Sequence, residues 1–223
     1  MDAAKCRIRG SDYNGVFCTA SDKLIFAPLH LTEKENDILS ATLKTEIAEV
    51  YIGDSDLVGL FARANSNGVI LSNLASAEEA RIIKEKAGGI NVGILNSNIN
   101  AIGSNILAND KIAIINEEYE HHEARQIGDI LGVEVVKSII GGFRTVGANN
   151  ILTNKGLVIN NKATELEQKE WEKLTGFKAM RTTANTGGLA VGLAVVVNSV
   201  GVVAGEATSG FELNRIVQGL EQQ

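Results

Sequence analysis

The sequence is short of cysteine and of positive charge, and it has none of the loops that nucleotide-using enzymes need. Only Cys6 and Cys18 are present, and the opening MDAAKCRIRG is too polar for a secretory leader. A disulfide framework is therefore excluded and a reducing, cytoplasmic setting is expected. Lys and Arg number 21 against 27 Asp and Glu, a net charge of -6 with a pI near 5.2. Free nucleic acid is a poor partner for such a chain, because counterion release requires arrays of Lys and Arg facing phosphate. No G-x-x-x-x-G-K-[ST] loop occurs, nor a G-x-G-x-x-G following a strand, so phosphate cradling has no support. Long apolar runs are also scarce. Residues 187–205 could pass for a membrane span, but Asn198 and Ser199 interrupt them, and the Val-rich halves read as two buried strands of a hairpin.

What is present is repetition. Five windows of fourteen residues align without a gap: GVFCTASDKLIFAP from Gly15, GLFARANSNGVILS from Gly59, GSNILANDKIAIIN from Gly103, GANNILTNKGLVIN from Gly147 and GLAVVVNSVGVVAG from Gly192. Subtracting the anchor positions gives spacings of 44, 44, 44 and 45. In each window an apolar run meets a polar triplet, the tip of a hairpin. Gly68, Gly156 and Gly201 follow three of these triplets, where a tight turn calls for a positive φ, while Leu24 and Ile112 occupy the same place in the other two.

A helix signal follows each hairpin. Four carry a capping box, Thr32/Glu35, Ser76/Glu79, Thr164/Glu167 and Ser209/Glu212; the third helix, around 117–131, lacks one. A third strand is expected after the first four helices, near 49–52, 90–95, 133–139 and 177–183. The fifth unit has no such segment, so the N-terminal residues 5–9 are its natural donor, and the ends would then close a ring that leaves no exposed sheet edge. An open solenoid would need distinct capping units, which the sequence does not show. The expectation is one α+β domain over 1–223, built of five β-β-α-β repeats (about 10–53, 54–97, 98–141, 142–186 and 187–223) in a closed pseudo-fivefold ring, with Gly15, Gly59, Gly103, Gly147 and Gly192 as structural anchors.

Candidate chemistry is thin. His121 and His122 are adjacent, point roughly 100° apart on a helix, and cannot chelate one ion together, so no metal site is expected. His30 reads as a loop or strand-end residue. Cys18 falls in register with Ala62, a structural position, and no base is placed beside it. The polar residues Asn105, Asn149 and Asn150 after the anchors, and 183–187 before the fifth, either bond local backbone or form a partner-binding rim. An enzyme is not expected, and neither is a cofactor.

The ordered set YIGDSDLVG (51–59) with ANSNG, NAIG followed by ILAND, Thr145-Val146-Gly147 followed by ILTNKG, and TANTGGLAVG (183–192) resembles the archaeal translation initiation factor 6 family over nearly the whole chain. The resemblance implies a pentein fold, five β-rich units about a pseudo-fivefold axis with a narrow channel. It also implies a factor that binds the large ribosomal subunit, sterically prevents its premature association with the small subunit, and takes part in large-subunit maturation. The implied contact is a ribosomal protein of the L-fourteen type near the sarcin-ricin loop, and an acidic chain suits a basic partner. Where the family reads Leu-Gly-Asn, this chain has Ile102-Gly103-Ser104; where it reads Thr-Ala-Asn-Lys-Gly, this chain has Thr183-Ala184-Asn185-Thr186-Gly187. The ribosome-binding residues implied are therefore Ser104, Asn105, Asn149, Asn185 and Gly187, on a monomer without a membrane segment. Two other readings are an enzyme resembling the amidinohydrolases of the same fold, which need a converging Cys and His, and a ring-shaped protein scaffold.

Overall fold

A computed structural model describes residues 1–222. Along the chain the elements are β1 (Asp2–Cys6), α1 (Asn14–Phe17), β2 (Thr19–Ala20), β3 (Leu24–Pro28), α2 (Glu33–Leu43), β4 (Glu46–Val50), α3 (Val58–Phe61), β5 (Ala62–Ala64), β6 (Gly68–Ser72), α4 (Ala77–Lys86) and β7 (Asn91–Leu95). They continue as α5 (Ile102–Asn105), β8 (Ile106–Ala108), β9 (Ile112–Asn116), α6 (His121–Leu131), β10 (Glu134–Ser138), α7 (Val146–Asn149), β11 (Ile151–Leu152), β12 (Leu157–Asn160), α8 (Glu165–Thr175), β13 (Ala179–Thr182), β14 (Val195–Val197), β15 (Gly201–Gly205) and α9 (Gly210–Leu220).

Among the described residues these strands form five separate three-stranded sheets of one design. An antiparallel hairpin supplies two strands, and the strand after the helix lies parallel to the second, as in β2-β3-β4 and β5-β6-β7. In the fifth sheet β1 takes that parallel place, pairing Asp2 with Gly201 through Cys6 with Gly205. The N-terminal strand thus completes the last unit, as expected, but three residues earlier than the sequence suggests. Its end is fixed by Asn14, whose buried carboxamide accepts from Ile8 N at 3.1 Å and donates to Cys6 O at 3.2 Å, after which Arg9 and Gly10 turn the chain at φ 55 and 73. Strand β4 likewise starts earlier than expected: Lys44 ends α2 in the left-handed region and Glu46 then pairs with Leu24.

The middle strand of every sheet is buried along its length, and the core is divided among five clusters. Each cluster joins neighbouring units. Leu24 and Phe26 pack with Val69, Leu71 and Ile83; Ile70 and Leu95 with Ile115 and Ile127; Ile114 with Ile159 and Trp171; Val158 with Val202 and Ile216; and Val196 and Val203 of the last unit with Ile25 and Leu39 of the first. A unit alone would leave one face of its sheet wet. Burial at about 25 cal/mol per Å² therefore couples units to one another rather than stabilising each separately.

Two expectations about turns and caps are corrected. Gly68, Gly156 and Gly201 do not adopt positive φ. The tips close instead through the first residue of each triplet: Asn65 Oδ1 accepts from Asn67 N and Gly68 N at 3.0 and 2.9 Å, and Asn109, Asn198 and Ser21 do the same in their units. Gly68 is required for space, since a Cβ there would collide with the carbonyl oxygen of Ile130 in the next unit's helix, to which Asn65 and Asn67 also dock through Leu131 O. The third helix is capped after all: Glu120 is its N-cap and Glu123 accepts from Glu120 N at 2.6 Å, the reciprocal half of the box that the other four helices make with Thr or Ser. Among the described residues no helix is long and apolar enough to cross a membrane, and 195–197 with 201–205 form the hairpin read from the sequence.

Candidate functional site

The anchor glycines open a one-turn helix in each of the first four units, not a strand, and a turn at 191–194 in the fifth. Backbone packs on backbone here. A Cβ on Gly15 would lie 2.6 Å from Gly192 O; on Gly59, Gly103, Gly147 and Gly192 it would strike the carbonyl oxygen of the preceding anchor, respectively Gly15, Gly59, Gly103 and Gly147. Only a residue without a side chain allows these helices to abut, which is the physical reason for the period seen in the sequence.

This packing places the sequence-predicted site residues. Ser104, Asn105 and Asn149 lie on α5 and α7 and are buried. Asn105 donates to Ala101 O at 2.8 Å and accepts from Asn116 Nδ2 at 2.9 Å; Asn149 donates to Leu189 O at 3.1 Å and accepts from Thr145 Oγ1 at 2.8 Å. Asn150, also buried, donates to Val146 O and accepts from Asn160 N at 3.1 Å. Their amides hold backbone together. The loop before the fifth anchor is different: Thr186 and Gly187 are exposed and Asn185 is half-buried, all three at positive φ. Asn185 donates to Asp12 O at 2.7 Å and accepts from Thr208 Oγ1 at 2.8 Å, so it joins this loop to the one after β1, where Tyr13 is exposed.

A carboxylate holds that loop in shape. Glu212, the capping residue of α9, accepts from Thr183 Oγ1 at 2.7 Å, Gly187 N at 2.8 Å, Thr186 N at 3.1 Å, and Ser209 N and Oγ at 2.8 Å each. Burial by itself would raise its pKa, but the bonds from Thr183, Ser209 and Gly187 outweigh it and hold the carboxyl at about 2. The same double duty recurs: Glu35 also accepts from Arg9 N, Glu79 from Asp54 N and Glu167 from Gly141 N, each at a left-handed turn. Sequence reading found the capping boxes but missed that their carboxylates clamp the turn before an anchor. Those turns are marked by Arg9-Gly10, Gly53-Asp54 and Gly141-Gly142.

At the other end of the hairpins the tips link to each other. Asp110 Oδ1 accepts from Ser66 N at 2.7 Å, Asp22 Oδ1 from Ser199 N at 2.7 Å, and Asn154 donates to Asp22 and Asp110 at 2.8 and 2.7 Å. Polar residues at equal repeat offsets were the available signal.

The thiols are poor nucleophiles. Both are buried and free; burial, then the charges of Glu35 and Glu206, pushes Cys6 up to about 11, and burial raises Cys18 as well. His30 sits in an exposed turn at φ 59, and His121 and His122 are exposed at the start of α6, with His122 Nδ1 at 3.2 Å from Glu120. Among the described residues both thiols are buried and all three histidines are exposed. Among the described residues no group of three or more His, Cys, Asp or Glu is arranged to hold a metal ion.

The eIF-6 family model matches residues 3–219. Translation initiation factor 6 of Picrophilus torridus is 35% identical over 214 residues, covering 95% of this chain and 96% of the relative. The protein of the same name from Pyrobaculum arsenaticum is 34% identical over 220 residues, covering 99% of each chain, and that from Pyrococcus horikoshii is 34% identical over 225 residues with the same coverage. These relatives are named as initiation factors, not as enzymes. On the family match and on these near full-length relatives, with the repeat intact from end to end, the chain belongs to the eIF-6 family.

Proposed function

We propose that this initiation-factor relative is an anti-association factor: it binds the large ribosomal subunit, sterically prevents premature joining of the small subunit, and serves large-subunit maturation in the cytoplasm. The observation that carries the reading is the family match along 3–219, which spans all five units without interruption. Occlusion asks for a broad rigid body and no chemistry, in keeping with buried thiols and exposed histidines.

The five units form, in this reading, a closed pentein ring acting as a monomer. Support comes from the anchors, where Gly15 meets Gly192 as Gly59 meets Gly15, and from the cluster that joins Val196 and Val203 to Ile25 and Leu39. The acidic balance suits a basic ribosomal protein of the L-fourteen type near the sarcin-ricin loop. Asn185 and Gly187 contact the subunit from their exposed loop, while Asn105 and Asn149 fix the backbone at Ala101 and Leu189 and Ser104 is buried beside Asn105 on α5.

The test is sedimentation of purified protein with isolated large subunits, followed by addition of small subunits. Saturable co-pelleting and a reduced yield of joined particles are expected. Neither effect at protein in excess over subunits would end this reading.

A further inference from the structure

One repeat position carries a side chain that the fold does not explain. The fifth residue of each window is Thr19, Arg63, Leu107, Ile151 and Val196, and all five line one cavity of about 40 Å³ between the hairpins. Three are aliphatic, as a packed interior requires. The remaining two, in adjacent units, are polar, and both keep a buried atom without a hydrogen-bond partner: Arg63 Nε and Thr19 Oγ1. Arg63 spends one nitrogen, Nη2, on Gly103 O at 2.6 Å, and among the described residues it makes no ion pair.

We propose that this cavity binds one halide-sized monovalent anion, held by Arg63 Nε and Thr19 Oγ1. A guanidinium stays charged at neutral pH, and an unpaired buried charge is costly unless a counter-charge reaches it. The cavity wall supplies none: Arg63 is its sole charged member, with the Cys18 thiol as the other titratable group. Desolvation alone draws the Arg63 pKa down to about 10. The residue is only partly accessible and lines this cavity.

The carboxylates of Asp22 and Asp110 belong to an adjoining cavity of about 30 Å³ at the tips. That space shares one wall residue per unit, Ala20, Ala64, Ala108, Leu152 and Val197, with the first. Both carboxylates there are bonded to Asn154 and to tip amides, not to Arg63. Size selects the ligand. A water needs roughly 10 to 15 Å³ by this kind of measure, so the space admits one halide and a water or two. Its aliphatic side, Leu107, Ile151 and Val196, offers no donors for a tetrahedral oxyanion and suits a weakly hydrated monatomic ion.

Two measurements test the site. Crystals of the full chain grown in sodium bromide should show one anomalous peak within hydrogen-bond reach of both Arg63 Nε and Thr19 Oγ1; electron density for water alone there would overturn the proposal. In solution, exchanging sodium gluconate for sodium chloride at constant ionic strength should raise the unfolding midpoint saturably in the unaltered protein. Arg63→Met should abolish that dependence, and in gluconate its midpoint should lie above that of the unaltered protein, because the uncompensated buried charge is then gone. Equal chloride responses in the two proteins would refute the site. Should Arg63→Met not fold, Thr19→Val must weaken the chloride response, and an unchanged response counts against the proposal; the bromide peak decides independently of either variant.

Discussion

Replacing Glu212 with Gln isolates the carboxylate that holds the exposed loop before the fifth anchor. The residue is 5% exposed and its carboxylate accepts five hydrogen bonds, from Thr183, Thr186, Gly187 and twice from Ser209. A carboxylate accepts at both oxygens, whereas Gln turns one of them into a donor that confronts N–H or O–H groups. The pKa gives the scale. A carboxyl held at about 2 against an ordinary 4.5 differs by about 2.5 units, and at 1.36 kcal/mol per unit the charged form contributes about 3 kcal/mol. The sign follows from linkage: a depressed folded-state pKa stabilises fully above 4.5, and the contribution is lost as pH falls through about 2. At pH 7 the unfolding midpoint of Glu212→Gln should fall by roughly 6 to 12 °C. The gap to the unaltered protein should shrink to less than half of its neutral value by about pH 3. The other capping carboxylates, Glu35, Glu79 and Glu167, titrate in both proteins and cancel in the difference. Thermal unfolding by circular dichroism from pH 7 to pH 3 measures it, and amide exchange at Thr186 and Gly187 should quicken in the variant. A loss below about 1 kcal/mol at pH 7, or a gap that stays constant with pH, would refute the reasoning.

Glycine at the anchors is a matter of space, so Gly59→Ala, whose Cβ would strike the carbonyls of Gly15 and Cys18, should cost at least about 3 kcal/mol in urea unfolding or prevent folding. Gly210→Ala, at the first position of α9 with nothing within 4 Å, should instead stabilise by roughly 0.5 to 1 kcal/mol. The same urea curves would expose an error if the two variants behaved alike. For the thiols, the shift of Cys6 from 9.0 to about 11 predicts native-state alkylation at pH 8 at least about 100-fold slower than after unfolding. Comparable rates in the two states would show that Cys6 is not held as described.

Much of this was legible in the chain itself. The period at Gly15, Gly59, Gly103, Gly147 and Gly192, the hairpin tips and four capping boxes follow from local rules: a turn, a cap or a buried strand is decided within a few residues. The borrowing of β1 by the fifth unit was legible too, because a missing strand can be counted. Other features were not. That Gly68 yields to Ile130 O, that Asn105 and Asn149 face inward to backbone, and that Glu212 reaches back to Thr183 all depend on which unit lies beside which. A repeat encodes its own geometry, but not the identity of the atoms its neighbour presents.

The division is therefore physical. By itself the sequence determined five β-β-α-β units, their order and a family, since hydrophobic period, turn chemistry and motif spacing are carried along the chain. Only the tertiary structure decided that the core is five shared clusters, that the anchors meet backbone to backbone, and that Arg63 stands without a counter-charge among Thr19, Leu107, Ile151 and Val196. Those are contacts between residues at least one repeat apart and, for Gly15 and Gly192, 192 − 15 = 177 positions apart; their energies come from burial and desolvation, which exist only once the units are packed.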